Sequence, residues 1–438
     1  MLAKVKSILQ KHQIEECSME HGFEINKNGK IDGLSFVHSF FNMLMQKKNT
    51  LEYWAGEFFK LTGFPITSQG LSGKLQFRHE KFVKQFLRKV LRQLVVDEPI
   101  KEDKRSILSS FNNVYLEDST CVPLPDYMFD FFPGTVNQNG ATSTARIQLR
   151  LELKSGNYSN IDLLTYRNND QSYSDNILGV LDANDLVIRD LGYWSLKVFR
   201  QIDEQKAYLL SRLQFQTQVF NPKNGKQIEL YKKLRSLRKK GVNLLDMRML
   251  VGKKEQLGMR VVAIRVPPQV EQQRKRKMRK DKLERRSDDY LEMLGWCIYV
   301  TNLNAEELGA KEIQRLYGYR WRIEIIFKGW KSNINLNYYF NKKKKFSPPR
   351  AIITFYLILI WLSLFFVRWY NFFLVRIFEQ KNKILSLFKF ADFLKINFEK
   401  IDEIAFEKET TIYLAKYCCQ QKRKQKSSVE LIYLLNYT

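Results

Sequence analysis

Tyr317, Arg320, Glu324 and Lys331 follow one another in the spacing Y-x2-R-x3-E-x6-K, inside the run Tyr317-Gly-Tyr-Arg-Trp-Arg-Ile-Glu-Ile-Ile-Phe-Lys-Gly-Trp-Lys331. On a helix that turns about 100° per residue, these side chains share an arc of roughly 60°. The adjoining arc carries Ile313, Leu316, Ile323, Phe327 and Ile334, which predicts a buried stripe. One helix would then present a carboxylate, two cations and a phenol from a fixed base. Such a set suits metal-assisted chemistry on a phosphodiester: the carboxylate holds a metal ion and the cations grip phosphate oxygens. An ordinary surface helix also pairs charges at i,i+4 and i,i+7. Four residue types at three fixed gaps favour a site.

The run resembles the Tyr-Arg-Glu-Lys signature of insertion-sequence DDE transposases of the type-4 insertion-sequence family. The resemblance implies that Glu324 is the third of three metal-binding carboxylates. It also implies that Tyr317, Arg320 and Lys331, with Arg322 and Lys328 beside them, contact the cleaved DNA end. Two aspartates are then required upstream, one on an early strand and one before a Gly-Tyr-aromatic turn. Val114-Tyr-Leu-Glu-Asp118-Ser-Thr and Asp185-Leu-Val-Ile-Arg-Asp190-Leu-Gly-Tyr-Trp supply them. In the first, a short β-prone run ends in an acid and two hydroxyls, which predicts Asp118 at a strand end. In the second, Leu186, Val187 and Ile188 predict a buried parallel strand that Asp190 closes. Taken singly, an Asp at a strand end is more often a turn or helix cap, and Glu117, Asp182 and Asp185 compete. The set in the family's order selects Asp118, Asp190 and Glu324.

What the resemblance implies is a cut-and-paste transposase. Two Mg2+ or Mn2+ ions would be shared by the three carboxylates, one serving the attacking oxygen and one the leaving oxygen. Hydrolysis at the terminal inverted repeats would free a 3′-hydroxyl, which then attacks the opposite strand or target DNA. The implied partners are double-stranded DNA and a second copy of the chain in a synaptic complex. The implied location is the cytoplasm, at the nucleoid. Two other readings stand beside it: a DNA-binding relative without catalysis, and a basic membrane-associated protein.

Composition narrows the field. The net charge is +27 over 438 residues, and nucleic acid is the usual polyanion that balances such a surplus. Five cysteines without a C-x2-C pair point to a reducing compartment and away from a zinc ribbon. All four histidines lie between positions 12 and 79, so histidine chemistry is missing around the candidate carboxylates. Oxygen ligands there suit magnesium or manganese. No G-x4-G-K-[ST], H-E-x-x-H or G-x-S-x-G motif supports an ATPase, zinc protease or serine hydrolase. No charged-then-apolar opening marks a signal peptide. Ala351–Val367 carries no charge over seventeen residues. That length is borderline for a membrane span and fits a helix buried in a large protein, so no stable membrane partner is expected.

Fold and domains follow from patterning joined to the resemblance. Residues 1–105 read as a helical DNA-binding region. In it, Leu51–Thr62, a Gly63-Phe-Pro-Ile66 break and Thr67–Leu75 form a helix-turn-helix candidate, with Gln69, Lys74, Gln76 and Arg78 available to DNA. An ordinary helical hairpin is the competing reading, because Gly70 and Gly73 weaken the second helix. Residues 106–220 read as the first part of an α/β domain. Ala145, Ile147, Leu149, Leu151 and Leu153 alternate with polar residues, a half-buried antiparallel strand that Gly156-Asn157 turns into Ile161–Thr165. A helix around Ser174–Leu181, the Asp190 strand, a helix from near Ser195 and an alternating run Tyr208–Phe220 complete it. Strand, hairpin, helix, strand is the order of a ribonuclease-H-like fold.

The 133 residues between Asp190 and Glu324 exceed a simple crossover. The resemblance places a mostly β insertion domain there, at 221–300. It includes the basic run Arg274–Lys282 with Arg285 and Arg286, a solvated block or a track for a phosphate backbone. Trp296 would match an insertion-domain aromatic that holds a flipped base; a buried strand tryptophan is the competing reading. Residues 301–345 return to the catalytic domain with Glu324, and 346–438 form a C-terminal helical region.

Overall fold

The computed structural model describes residues 11–24, 29–93, 107–138, 140–280, 287–332, 336–340 and 346–420. The first described elements are helices α1 (Lys11–Glu20), α2 (Gly33–Met45), α3 (Leu51–Thr62), α4 (Ser68–Gly73) and α5 (Glu80–Gln93). Strands β1 (Val114–Leu124), β2 (Pro133–Asn137), β3 (Gly140–Glu152) and β4 (Tyr158–Thr165) follow. Next come β5 (Leu186–Arg189), α6 (Leu196–Glu204), β6 (Tyr208–Arg212), β7 (Val219–Phe220), β8 (Gln227–Ile228) and α7 (Leu230–Lys239). After these are β9 (Leu244–Val251), β10 (Leu257–Arg265), α8 (Pro268–Lys280), α9 (Asp288–Met293) and β11 (Trp296–Thr301). The chain then runs through α10 (Ala310–Gly318), α11 (Trp321–Ser332), α12 (Leu336–Tyr339) and α13 (Pro348–Ser363). It ends in α14 (Asn371–Lys381), α15 (Leu387–Asn397), α16 (Ile401–Ile404) and α17 (Lys408–Tyr417). The fold is therefore mixed α/β. Its described residues divide into a sheet unit (within 107–118 and 168–323) and a helical unit (within 11–93, 119–167 and 324–420).

In the sheet unit, β1 runs parallel to β5, in register from Val114↔Leu186 to Glu117↔Arg189. β5 runs parallel to β6. All four residues of β5 are buried, as expected of a parallel strand covered on both faces. The connection between β5 and β6 is α6, which starts where the Ser195 side chain caps it. From β6 the order continues antiparallel through β11, β10 and β9 to β7 and β8. Between positions 221 and 300 the chain is thus β8 to β11, with α7, α8 and α9 added. The core joins Val187, Leu209, Met259, Val261 and Val300 of the strands to Val198, Phe199 and Ile202 of α6 and Leu230 and Leu234 of α7. The basic run begins on α8; positions 281–286 lie outside the described residues.

The helical unit holds α1–α5, the β2–β3–β4 antiparallel strands and the C-terminal helices. α3 ends at Gly63, whose φ of 73° is the left-handed conformation that glycine adopts without penalty. Thr67 then caps α4, so the break and second helix expected at 63–75 are present, with α4 ending earlier, at Gly73. Gln69, Gln76 and Arg78 are exposed. Lys74 turns inward instead: its Nζ donates to the Phe23 carbonyl at 2.6 Å and lies 4.4 Å from that ring.

β3 departs from the expected half-buried strand. Arg146, Gln148 and Arg150 are 9%, 2% and 3% exposed, so both of its faces are covered. Arg146 donates to Ser119 Oγ at 2.8 Å, and Gln148 and Arg150 stand opposite Asp162 and Asn160 in register. Buried polar side chains of this kind need hydrogen-bond partners, as Arg146 has in Ser119.

Pro348–Lys381 is a continuous helical stretch of 34 residues that passes through a wide π turn at Leu364–Tyr370. It is long and apolar enough to cross a membrane, yet 89% of its most apolar window is buried inside the protein. α13 packs along α5, which accounts for its all-round apolarity.

One buried arginine ties the strands to the segment that leads into α10. Arg260 of β10, 2% exposed, donates Nε and Nη2 to Asp246 at 2.8 and 2.7 Å. Its Nη1 reaches the carbonyls of Asn304 and Leu308 at 3.0 and 2.6 Å. Arg260→Ala should cost about 3–5 kcal/mol, because it strands a carboxylate and two carbonyls. A lowered thermal midpoint is the expected reading; an unchanged midpoint would show that the segment holds without the arginine.

Candidate active site

Asp190 follows β5 directly, in extended conformation (φ −79°, ψ 168°), and a short 3-10 turn Leu191–Tyr193 starts after it. This is the strand-closing position expected for it. Asp118 differs: β1 continues to Leu124, so Asp118 is the fifth residue of an eleven-residue strand and not its end. What ends there is the parallel ladder, whose last pair is Glu117↔Arg189. The strand runs on because Thr120, Cys121 and Val122 are as β-prone as the residues before Asp118. Asp118 and Asp190 thus each stand one residue past the last pair of the ladder, Asp118 within β1 and Asp190 just after β5.

Successive strand residues point to opposite faces. Glu117 and Arg189 meet each other on one face: Arg189 Nε lies 2.7 Å from Glu117 Oε2, and each residue is 1% exposed. Asp118 and Asp190 take the other face, where the end of α10 meets them. Arg320 Nη1 lies 3.5 Å from Asp118 Oδ2. The Tyr317 hydroxyl donates to Asp190 Oδ1 across a long 3.5 Å. The Arg320 guanidinium stands 5.7 Å from the Tyr317 ring, which also packs 5.2 Å from Tyr299. Burial, with the Asp190 carboxylate adding to it, pushes the Tyr317 phenol well above the usual tyrosine range despite the opposing pull of Arg320. Tyr317 is therefore a hydrogen-bond donor and not a base at working pH.

Two of the three competing carboxylates, Glu117 and Asp185, have structural work, and Asp182 is exposed. Glu117 is spent on Arg189. Asp185 is fully buried and accepts from the Asn113 backbone N–H and side-chain amide, both at 2.9 Å, and from the Asp182 N–H at 2.9 Å.

The four signature residues do not share one helix. α10 stops at Gly318 and α11 starts at Trp321, leaving Tyr319 and Arg320 in a tight turn between them. There the N–H groups of Tyr319, Arg320, Arg322 and Ile323 bond to carbonyls three residues back. Gly318 weakens the helix at this point, and Tyr319 is fully buried while Trp321 is 53% exposed. The common 60° arc therefore does not hold. The apolar stripe does: Ile313, Leu316, Ile323 and Phe327 are buried, and Ile334 lies outside the described residues.

Glu324 and Lys331 belong to the helical unit, on α11, where Glu324 is half-buried and Lys331 exposed. Arg322 is half-buried and Lys328 exposed. Among the described residues, no group of three or more His, Cys, Asp and Glu side chains stands together as a metal site. Asp118 and Asp190 nevertheless fit part of one. They offer hard carboxylate oxygens from adjacent strands, and Mg2+ commonly takes one or two protein carboxylates plus substrate phosphates.

Trp296 is a correction. It is 0% exposed in the core of the sheet unit, and its Nε1 donates to Glu292 Oε1 at 3.0 Å. Arg265 covers its ring at 5.6 Å. No base can stack on it. Sequence reasoning also passed over Asp170. A Cβ on Gly192, two residues after Asp190, would stand 2.7 Å from Asp170 Oδ2, so the turn closing the site needs glycine for close approach. Nothing at Asp170 in the sequence signals this contact.

Residues 110–343 match the family of the transposase DDE domain. The chain is 30% identical over 298 residues to the transposase for insertion sequence element IS231F of Bacillus thuringiensis subsp. israelensis, covering 64% of this chain and 61% of that protein. It is 28% identical over 356 residues to the IS231B transposase of Bacillus thuringiensis subsp. berliner, covering 76% and 72%. A solved piggyBac transposase synaptic complex with hairpin DNA aligns with a TM-score of 0.46 at 10% identity, over 98% of this chain and 87% of that one.

Two outcomes are expected at this site. Tyr317→Phe should leave the tyrosinate absorbance rise up to about pH 11 unchanged, since the ordinary phenol titrates near 10 and Tyr317 does not. A smaller rise in the variant would show that Tyr317 ionises normally. Gly192→Ala should destabilise the fold by about 1–3 kcal/mol through the clash with Asp170; wild-type melting would mean that the turn yields without cost.

Proposed function

The chain belongs to the transposase DDE domain family, and we propose from this membership that it cuts and joins DNA as an insertion-sequence transposase. The observation that carries the reading is the meeting of Asp118 and Asp190, each one residue past the last pair of a parallel ladder, with the signature residues Arg320 and Tyr317. Two features of the sequence context add support: the Asp190-Leu-Gly-Tyr turn, and Glu324 at the signature position on α11. The order β1, hairpin β3–β4, β5, α6, β6 supports a ribonuclease-H-like catalytic domain. On this reading 1–105 is the helical end-binding region, 106–220 and 301–345 form the catalytic domain, 221–300 is the insertion, and 346–438 is the C-terminal helical region.

Membership implies a divalent metal ion. We propose two, Mg2+ or Mn2+, held by Asp118, Asp190 and Glu324; when bound they supply Lewis acidity to the attacking and leaving oxygens. The chain's own residues do the rest. Arg320 now balances Asp118; a DNA phosphate offers its guanidinium a second anion with matching fork geometry. Tyr317, held protonated, donates to Asp190 or to the terminal nucleotide but abstracts no proton. Lys331, with Arg322 and Lys328 near it in sequence, grips backbone phosphates. Gln69, Gln76 and Arg78, exposed around α4, are the residues proposed to meet the terminal inverted repeats. A second copy of the chain in a synaptic complex and a cytoplasmic location at the nucleoid complete the proposal.

Asp118→Asn, Asp190→Asn and Glu324→Gln should each abolish metal-dependent nicking of end DNA while sparing end binding, which rests on many cationic contacts. Substantial magnesium-dependent nicking by any purified variant removes that residue from the site. If wild type binds end DNA but nicks none with either metal, the chain is a DNA-binding relative without catalysis. Arg320→Ala and Lys331→Ala should keep metal-dependent chemistry but slow single-turnover cleavage about ten- to a hundredfold, the worth of a charge-assisted bond of about 1.5–3 kcal/mol. Wild-type rates in both would make these two an ordinary surface.

A further inference from the structure

Directly behind the two aspartates lies an ion pair that the proposed chemistry does not use. Glu117 and Arg189 are each 1% exposed and are joined by Nε–Oε2 and Nη2–Oε2 contacts of 2.7 and 2.5 Å. They form the last pair of the β1–β5 register, and the residue after each is an aspartate of the site. The guanidinium also lies 5.3 Å from the ring of Tyr193, which is fully buried in the turn that follows Asp190.

A hydrophobic strand pair alone specifies this rung poorly, since Val114, Leu116, Leu186, Val187 and Ile188 are all buried and apolar. Buried charges specify it well. A slip by one residue would set Glu117 against Ile188 or Asp190 and leave the guanidinium without its carboxylate in a dry interior. The slip would also send a side chain to the opposite face. Fixing 117 against 189 fixes 118 against 190.

We propose that Glu117 and Arg189 are positioning residues. Their buried ion pair sets the relative height and facing of Asp118 and Asp190, so that both carboxylates serve one cation. Neither touches the reacting atoms. The pair acts on the ligands through the backbone of the two strands, from the face opposite to the aspartates. This inference rests on the proposed metal-binding role of the two aspartates.

The decisive variant removes both charges together, Glu117→Met with Arg189→Met, because a buried pair replaced by apolar side chains of similar length can keep the fold. Three quantities are read on the full chain: the thermal midpoint, binding of Mn2+ without DNA by loss of the free-ion paramagnetic signal, and single-turnover cleavage of end DNA against metal concentration. The expected result is a folded protein that binds end DNA as wild type does. It should bind Mn2+ about tenfold more weakly and cut more slowly, with part of the rate restored at high metal. Wild-type Mn2+ affinity and cleavage in the folded double variant would overturn the inference and reduce the pair to a stabilising contact. Should that variant not fold, Arg189→Lys decides, since it keeps the charge but loses the guanidinium fork. Intermediate Mn2+ affinity supports positioning, and wild-type affinity overturns it. If Mn2+ binding to the wild type is unmoved by Asp118→Asn and Asp190→Asn, the functional reading itself fails and takes this inference with it.

Discussion

The parallel pairing of β1 with β5 is the constraint on which the sheet unit's chemistry depends. Parallel strands cannot be joined by a tight turn, so residues from distant parts of the chain must be brought side by side. The reward is that two carboxylates far apart in sequence arrive at matching heights on neighbouring strands. The pairing is short, from Val114↔Leu186 to Glu117↔Arg189. Its apolar residues supply burial but little register, and the buried Glu117–Arg189 contact at its end supplies the register. The next position on each strand is where the chain places Asp118 and Asp190. Stability and geometry are separate here: the hydrophobic rungs hold the strands together, and the charged rung says where.

The second constraint is the joint between α10 and α11. A straight helix through 310–332 would have presented Tyr317, Arg320, Glu324 and Lys331 as one stripe. The tightened turn at Tyr319–Arg320 breaks that stripe and directs Arg320 to Asp118 while Tyr317 stays on Asp190. Short 3-10 pieces inside helices are frequent at hinges. In this one, Tyr319 and Arg320 lie between the two helices, so the Arg320 guanidinium is not placed by the regular geometry of either.

How much of this was legible in the sequence follows from the range of each interaction. Asp190 was legible because Leu186-Val-Ile is a local apolar run with an acid at its end, and the helix starting at Ser195 was legible because its cap is local. The α3–α4 break was legible through Gly63 and Pro65. The pattern around Asp118 predicts a strand end, since nothing local distinguishes the end of a strand from the end of its pairing. β3 was read as half-buried because alternation reports polarity, and polarity misleads where Arg146, Gln148 and Arg150 find partners inside. Trp296 shows the opposite case: the family resemblance suggests a base-holding role, and packing with Glu292 and Arg265 bears out the competing reading, a buried strand tryptophan. The Glu117–Arg189 pair was not legible at all. Its partners lie 72 positions apart, and only the register brings them together.

The site also poses a charge problem. Two carboxylates at adjacent strand positions repel each other when no cation lies between them, and the low-dielectric floor beneath strengthens that repulsion. The chain meets this on the face of the aspartates with Arg320 at 3.5 Å from Asp118 and the Tyr317 hydroxyl toward Asp190. Both contacts are long and incompletely buried, in contrast to the 2.5–2.7 Å contacts of the pair behind. That difference has a physical use. The pair behind is short and dry, each residue 1% exposed. The pair in front must give way if a cation and a phosphate arrive, so it is loose enough to be replaced without stranding a charge. Under the proposed function, a cation would take over the balancing of the carboxylates as Arg320 turns to phosphate. The exchange keeps the charge count near neutral on both sides, which is how a tight anionic site can open to a polyanion without a large electrostatic barrier.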